Sequence, residues 1–351
     1  MRPDRSTERR GPALLVPQTS FLGDVVLTTP LLSALRKRLR PRRLTVMVRP
    51  EARALVAGHP AVDQVMIDDK RGADRGLTGL IKMAARVRRE EFDVAVCPHR
   101  SLRTAVLLAL AGIPRRVGFD ESRGAFLFHE CVHRDRRLHD VERNLLLLEP
   151  LGGAGDTAEL HVPVVADAAA HADELLAGDS RPVVVVAPGS VWPTKRWTSS
   201  GFAEVIRTLT AKGMRCVLIG AQGDTERAAT IGVRSGTDVL DLTGRTSLAV
   251  VTAVIDRACL LIGNDSAPMH IARARGVPVI AVFCATTPAL GYGPHGDDAR
   301  VVGAELACRP CGRHGGRSCP RGTDDCRYLV EPAQVMAAAE EFLARARIPP
   351  S

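Results

Sequence analysis

The chain has 351 residues, 45% hydrophobic and 25% charged, the balance of a soluble globular protein, and at ~150 residues per domain it accommodates two domains. Its longest apolar stretch, residues 104–114, is about half the ~20 residues a membrane-spanning helix needs, and the charged residues 1–10 do not read as a signal peptide. Charge is uneven: residues 1–150 carry 28 Lys and Arg against 18 Asp and Glu, a net of +10, and residues 151–351 carry 20 against 21, a net of −1. Either arginines are spread over a solvated surface, or the first half faces something anionic. Aromatics at 3% leave few platforms for stacking bases, so no nucleic acid partner is expected. An anionic membrane leaflet or a phosphorylated glycolipid fits the charge as well.

Short β-branched runs alternate with helix-length segments, the pattern of parallel sheets with crossover helices. Strands are predicted at residues 13–17, 44–48, 64–67, 93–97 and 116–118, with helices at 30–39, 77–89, 102–111 and 141–151. Residues 152–182, rich in Gly, Ala and Asp, break the alternation and read as an interdomain region holding a helix near 167–176. The pattern then restarts, with strands at 183–187, 216–220, 259–263 and 279–283 and helices at 199–211, 225–232, 248–257 and 267–275. A last helix, 332–345, follows a cysteine-bearing loop. Two doubly wound units in series describe glycosyltransferases, but also periplasmic binding proteins and two-domain dehydrogenases, so fold alone does not decide function.

Ligands of such folds bind beyond the carboxyl ends of the strands, which directs attention to the loops there. The first is Gln18-Thr19-Ser20-Phe21-Leu22-Gly23-Asp24; Asp24 is either a helix-starting residue favoured by the dipole or a carboxylate facing the crevice. It is not a G-x-G-x-x-G dinucleotide fingerprint. The second, residues 187–197, combines Pro-Gly, Ser190, Lys195, Arg196 and both tryptophans, a hydroxyl and a point charge suited to a leaving diphosphate. Its alternative is a surface loop with packed tryptophans. The third, Gly263-Asn264-Asp265-Ser266-Ala267-Pro268-Met269-His270, offers small residues and helix-start amides to a phosphate. Alternatively, Asp265 and Ser266 cap the helix and His270 packs internally. Asp224 or Glu226, after the next strand, is placed for a sugar or ribose hydroxyl, and Thr243 and Gly244 for the wall of a base pocket.

These segments, in this order — the Gly23-Asp24 loop ending at Pro30, PGSVWPTKRW, GAQGDTERA, LTGRTSL and GNDSAPMHIA — resemble glycosyltransferase family 9, the heptosyltransferases of lipopolysaccharide core assembly, most closely the heptosyltransferase II type. The resemblance implies a GT-B architecture, two Rossmann-like doubly wound parallel-sheet domains facing a central cleft. Domains are expected at residues 1–165 (acceptor-binding), 166–330 (nucleotide-sugar-binding) and 331–351, a helix packing back toward the N-terminal domain. It implies inverting transfer of heptose from an ADP-heptose donor to the anionic lipid A/inner-core acceptor. The enzyme would be cytoplasmic or peripheral at the inner leaflet of the cytoplasmic membrane.

By position, Asp24 matches the general base and Lys195 the diphosphate-contacting lysine. Asp265, Ser266 and Ala267 match the donor-binding loop, with Ser190, Asp224, Glu226, Thr243, Gly244 and His270 around it. Asp224, with Glu226 two residues on, stands where some relatives carry a glutamate, and Val191 where some carry a second hydroxyl. No Asp-x-Asp occurs, which agrees with a metal-independent reaction that uses no cofactor. The alternatives are another nucleotide-sugar transferase or epimerase on this fold, or a non-catalytic binding protein. Cys308, Cys311, Cys319 and Cys326 are spaced C-x2-C-x7-C-x6-C; four thiolates would suit a closed zinc site, or the loop holds free thiols or one disulfide.

Overall fold

Runs such as Leu14-Leu15-Val16 and Val183-Val184-Val185-Val186 carry apolar residues at successive positions, so both faces of the strand must be covered. Those seven residues lie at the centres of two all-parallel sheets, six of them with no solvent exposure and Val183 nearly so. The computed structural model describes residues 11–153 and 159–346. The chain divides into two units, Met1–Pro163 and Val164–Ser351.

The first unit holds β1 (Gly11–Pro17), α1 (Leu22–Leu39), β2 (Pro41–Val48), β3 (Gln64–Ile67), α2 (Gly76–Arg89), β4 (Val94–Cys97), α3 (Leu102–Leu110), β5 (Arg115–Phe119), β6 (Glu130–Val132) and α4 (Asp140–Leu146). Its sheet runs β3-β2-β1-β4-β5-β6. The second holds α5 (Ala166–Leu176), β7 (Val183–Ala187), α6 (Ser199–Ala211), β8 (Arg215–Leu218), α7 (Thr225–Ser235), β9 (Leu240–Asp241) and α8 (Leu248–Asp256). It continues with β10 (Leu260–Asn264), α9 (Ala267–Ala274), β11 (Val279–Val282), β12 (Ala299–Val302), α10 (Asp325–Tyr328) and α11 (Pro332–Ala346). This sheet runs β12-β11-β10-β7-β8-β9, the same order counted from its own first strand. In each sheet the order reverses beside that first strand, between β1 and β4 and between β7 and β10. Connections leave to opposite faces there, and a crevice opens at the carboxyl ends.

The structure departs from the sequence reading in four places. Helix α1 begins at Leu22, eight residues before the expected start, and carries Pro30 in its interior. A proline there removes the donor for the carbonyl four residues back; the Thr29 hydroxyl donates to that carbonyl, Val26 O, at 2.8 Å, so the helix runs through. Strands β6, β9 and β12 were not anticipated. Each pairs on one side only and is short and partly exposed, so none shows an apolar run. The region 141–151 forms a short helix and then a separate turn of 3-10 helix, Glu149–Leu151.

The last departure concerns the C-terminal helix, expected to pack back toward the N-terminal domain. Helix α11 belongs to the second unit: Val335, Met336, Ala339, Phe342 and Leu343 enter the core formed by α6 and β11. An apolar stripe at this spacing is buried by the nearest uncovered apolar surface, here supplied by its own unit.

Candidate functional site

At the reversal point of the first sheet, the chain leaves β1 through Gln18, Thr19 and Ser20 and enters α1. Asp24 lies in the first turn of that helix. Its carboxylate accepts from Ser20 Oγ at 2.5 Å and from the Phe21 amide at 3.3 Å. The side chain keeps some contact with solvent, but surrounding protein and the charge of buried Asp140 push its pKa up to about 6, against the two hydrogen bonds and Arg100. A carboxylate poised there is suited to take a proton near neutrality.

Neighbouring strand ends bring cations that no local motif announced. Lys70, beyond β3, donates to Thr19 Oγ1 at 3.1 Å, and His99, beyond β4, lies 3.3 Å from the same hydroxyl and 3.1 Å from Thr104 Oγ1. Arg49, beyond β2, is buried and paired with Glu51 at 3.0 Å, and Asp68 is held by Arg103 at 2.5 Å. Burial first, then Arg49, lowers Lys70 to about 8. Burial and the nearby cations take His99 down to about 3, so that ring is neutral. The result is a cation-rich strand-end surface beside the Asp24 carboxylate.

The second sheet carries its own cluster at the matching point. After β7 the chain turns through Pro188, Gly189 and Ser190 to a single 3-10 turn, Pro193–Lys195. Lys195 Nζ lies 2.7 Å from Asp265 Oδ2, just past β10, with both side chains largely buried. Thr286 Oγ1 donates to the same carboxylate oxygen at 2.6 Å. Asn264, fully buried, ties the two loops: its amide donates to Pro188 O at 2.7 Å, and its carbonyl accepts from the Trp197 amide at 2.9 Å.

Asp265 therefore anchors the lysine, and the capping role offered for it is not what its carboxylate does. Ser266 occupies the N-cap of α9, yet its hydroxyl makes no capping bond and sits 3.4 Å from Asn264 O. Ala267 opens the helix, and His270 is buried within it.

Asp224 lies over this loop. A Cβ on Gly189 would come within 2.5 Å of Asp224 Oδ2, so a larger residue there would displace this carboxylate. Gly220 places Asp224 and Thr243 together in the same way. Thr243 is buried, its hydroxyl has no hydrogen-bond partner among the described residues, and Gly244 turns the chain at φ +70°. The structure thus gathers Lys195, Asp265, Ser266, Asp224, Thr243 and Gly244 around the carboxyl ends of β7, β8, β9 and β10, with Ser190 on the adjoining turn. Glu226 is separate: it projects exposed from the first turn of α7.

Of the two tryptophans, Trp197 is fully buried, donates Nε1–H to Val330 O at 3.0 Å and stacks edge-on to Phe202 at 5.0 Å. It is a core residue. Arg227 supports the same turn, donating to Pro188 O at 3.1 Å and to Trp197 O.

The cysteine-rich loop has a structural place too. All nine cysteines are free, and among the described residues no three His, Cys, Asp or Glu side chains are grouped to hold a metal. Instead, Gly316 N donates to Thr194 Oγ1 at 2.8 Å while that hydroxyl donates to Gly316 O at 2.9 Å. Arg309 donates to Thr286 O and Phe283 O, each at 2.7 Å. The loop braces both partners of the Lys195–Asp265 pair.

Comparison with known proteins places this arrangement. A solved family 9 glycosyl transferase from Veillonella parvula superposes with a TM-score of 0.86 at 25% identity, covering 96% of this chain and 99% of that one. The Escherichia coli ADP-heptose lipopolysaccharide heptosyltransferase II gives 0.80 at 21% identity over 96% and 100%. Lipopolysaccharide heptosyltransferase 3 of E. coli is 26% identical over 277 residues, 76% of this chain and 82% of the relative. The fold is GT-B, and the protein is a glycosyltransferase. The profile of glycosyltransferase family 9 (heptosyltransferase) matches residues 80–318. The chain belongs to that family.

Proposed function

We propose that the protein transfers heptose from ADP-L-glycero-β-D-manno-heptose to the lipopolysaccharide inner core, with inversion and without a metal. The names borne by its relatives support the sugar and the acceptor. The observation that carries the chemistry is the buried Lys195–Asp265 pair at the reversal point of the second sheet. An ammonium with three donors spends one on Asp265 and keeps others for a diphosphate.

Inversion needs a single displacement. Asp24 takes the proton of the acceptor hydroxyl as its oxygen bonds to the anomeric carbon. The bond from that carbon to the diphosphate breaks, and its electron pair stays on the departing ADP. Lys195 and the amides opening α9, left without a side-chain cap, stabilise that charge. Asp224 receives a sugar or ribose hydroxyl, and the unsatisfied Thr243 hydroxyl meets the nucleotide beside Gly244. Lys70 and Arg49 attract the anionic acceptor toward Asp24, at the cytoplasmic face of the inner membrane.

The test is direct. Purified protein is given ADP-heptose and inner-core acceptors with and without a first heptose, with and without chelator, and the product's mass and anomeric configuration are read. One added heptose of inverted configuration, at a rate unaffected by chelator, is expected. Release of free epimerised sugar, or transfer only from a UDP- or GDP-sugar, would overturn the reading.

A further inference from the structure

Helices α2 and α3 cover one face of the first sheet. Leu80, Met83 and Val87 of α2 and Ala105, Leu107 and Leu108 of α3 share a core with Leu15 and Ala95. The turn bearing Phe126 follows, packed through Gly124 against Ala105. The outer surface of this layer is unusual for a protein that meets only water. Leu77 and Ile81, one helical turn apart on α2, are 69% and 54% exposed, and Phe126 is 79% exposed. On α3, Leu102 and Leu110 are also exposed, with Val106 between them. Side chains four apart on a helix form a continuous row, so these are two apolar rows and an aromatic tip.

A basic row runs beside the apolar one. Lys82, Arg86 and Arg89 follow Thr78 on α2, all exposed, and none makes an ion pair among the described residues. Residues 75–89 contain no Asp or Glu. Arg123 adds a further exposed cation beside Phe126. Apolar side chains flanked by unpaired cations are what an interface of acyl chains and anionic headgroups accommodates. A second copy of this chain is a poor occupant, because a twofold interface would set the same cations against each other.

We infer that the outer face of α2, α3 and the Phe126 turn is the membrane-docking surface of the enzyme, seated on anionic lipid with Leu77, Ile81 and Phe126 inserted at headgroup depth. The inference deepens the reading of a lipid-borne acceptor and rests on it. None of these residues belongs to the strand-end clusters, so docking and chemistry separate by mutation.

Cosedimentation with vesicles of phosphatidylcholine alone, or mixed with phosphatidylglycerol, tests it. The wild type should bind the anionic vesicles, less so as salt rises. The triple variant Leu77→Ser, Ile81→Ser, Phe126→Ser should lose about tenfold or more in partitioning. The pair Lys82→Glu, Arg86→Glu should lose at least about fivefold per cation, together with most of the salt dependence. Both should melt as the wild type does and transfer heptose normally to a delipidated, water-soluble acceptor. Unchanged vesicle binding in both variants, or no binding by the wild type, would overturn the assignment. A wild-type dimer dispersed by the same substitutions would give the surface to a second copy instead. Absence of transfer to any acceptor by the wild type would sink the proposed reaction and leave the vesicle result standing.

Discussion

The two units share a strand order, yet their strand-end clusters are built on opposite electrostatic plans. In the first, the Asp24 carboxylate stays partly solvated, with no cation bonded to it among the described residues, and its proton affinity is lifted toward neutrality by burial and by Asp140. In the second, a lysine and an aspartate are locked together 2.7 Å apart, with Thr286 donating to the aspartate and Asn264 and Arg227 fixing the backbone around them. A group that must gain and lose a proton needs a tunable environment. A group that must hold a diphosphate needs a charge already in position. On the proposed mechanism one topology supplies both, because its strand ends carry loops, and loops vary without disturbing the sheet.

The largest effect that tests this contrast is on turnover. Asp24→Asn should lower kcat by about 10²–10⁴ while ADP affinity, measured by calorimetry, stays within a few fold. A variant that turned over normally would remove the first cluster from the chemistry. Next comes the converse: Lys195→Met should weaken ADP by about tenfold or more, the worth of a hydrogen bond to a charged group. Retained ADP affinity would mean that the second cluster is structural only.

The smallest effect is on pH. As the proposed base, Asp24 would act when deprotonated, so kcat/KM should fall about tenfold per pH unit below about 6 and level off above it. Ser20→Ala removes a bond that favours the charged form and should move that limb to higher pH. Asp140→Asn removes a negative neighbour and should move it lower; shifts in the same direction would refute the electrostatic account.

Much of this was legible in the sequence, for identifiable reasons. Central strands announce themselves because both faces are buried, and the strand-end loops followed from them. Lys195 and Asp265 lie 70 residues apart, yet each stood in a recognisable loop. Their direct pairing, and the diversion of Asp265 from helix capping, are tertiary facts. Arg49 and Lys70 were visible only as part of a bulk charge and His99 not at all, since each sits alone after a different strand and sheet order alone gathers them. That Asp224 lies against Gly189 while Glu226 projects exposed from α7 is likewise a tertiary fact, since the two carboxylates are only two residues apart in the chain. Pro30 misled because the Thr29 hydroxyl that replaces its lost donor is as local as the proline itself, but its direction is not written in the residue type.

The bracing of Thr194 by Gly316 has a consequence for reading natural variation. Residues more than a hundred positions downstream of Lys195 hold the turn that carries it, so the segment carrying Cys308, Cys311 and Cys319 should be ranked with the proposed nucleotide contacts in any mutational scan. Insertions there will first appear as a weaker hold on ADP in a molecule that still melts at its usual temperature.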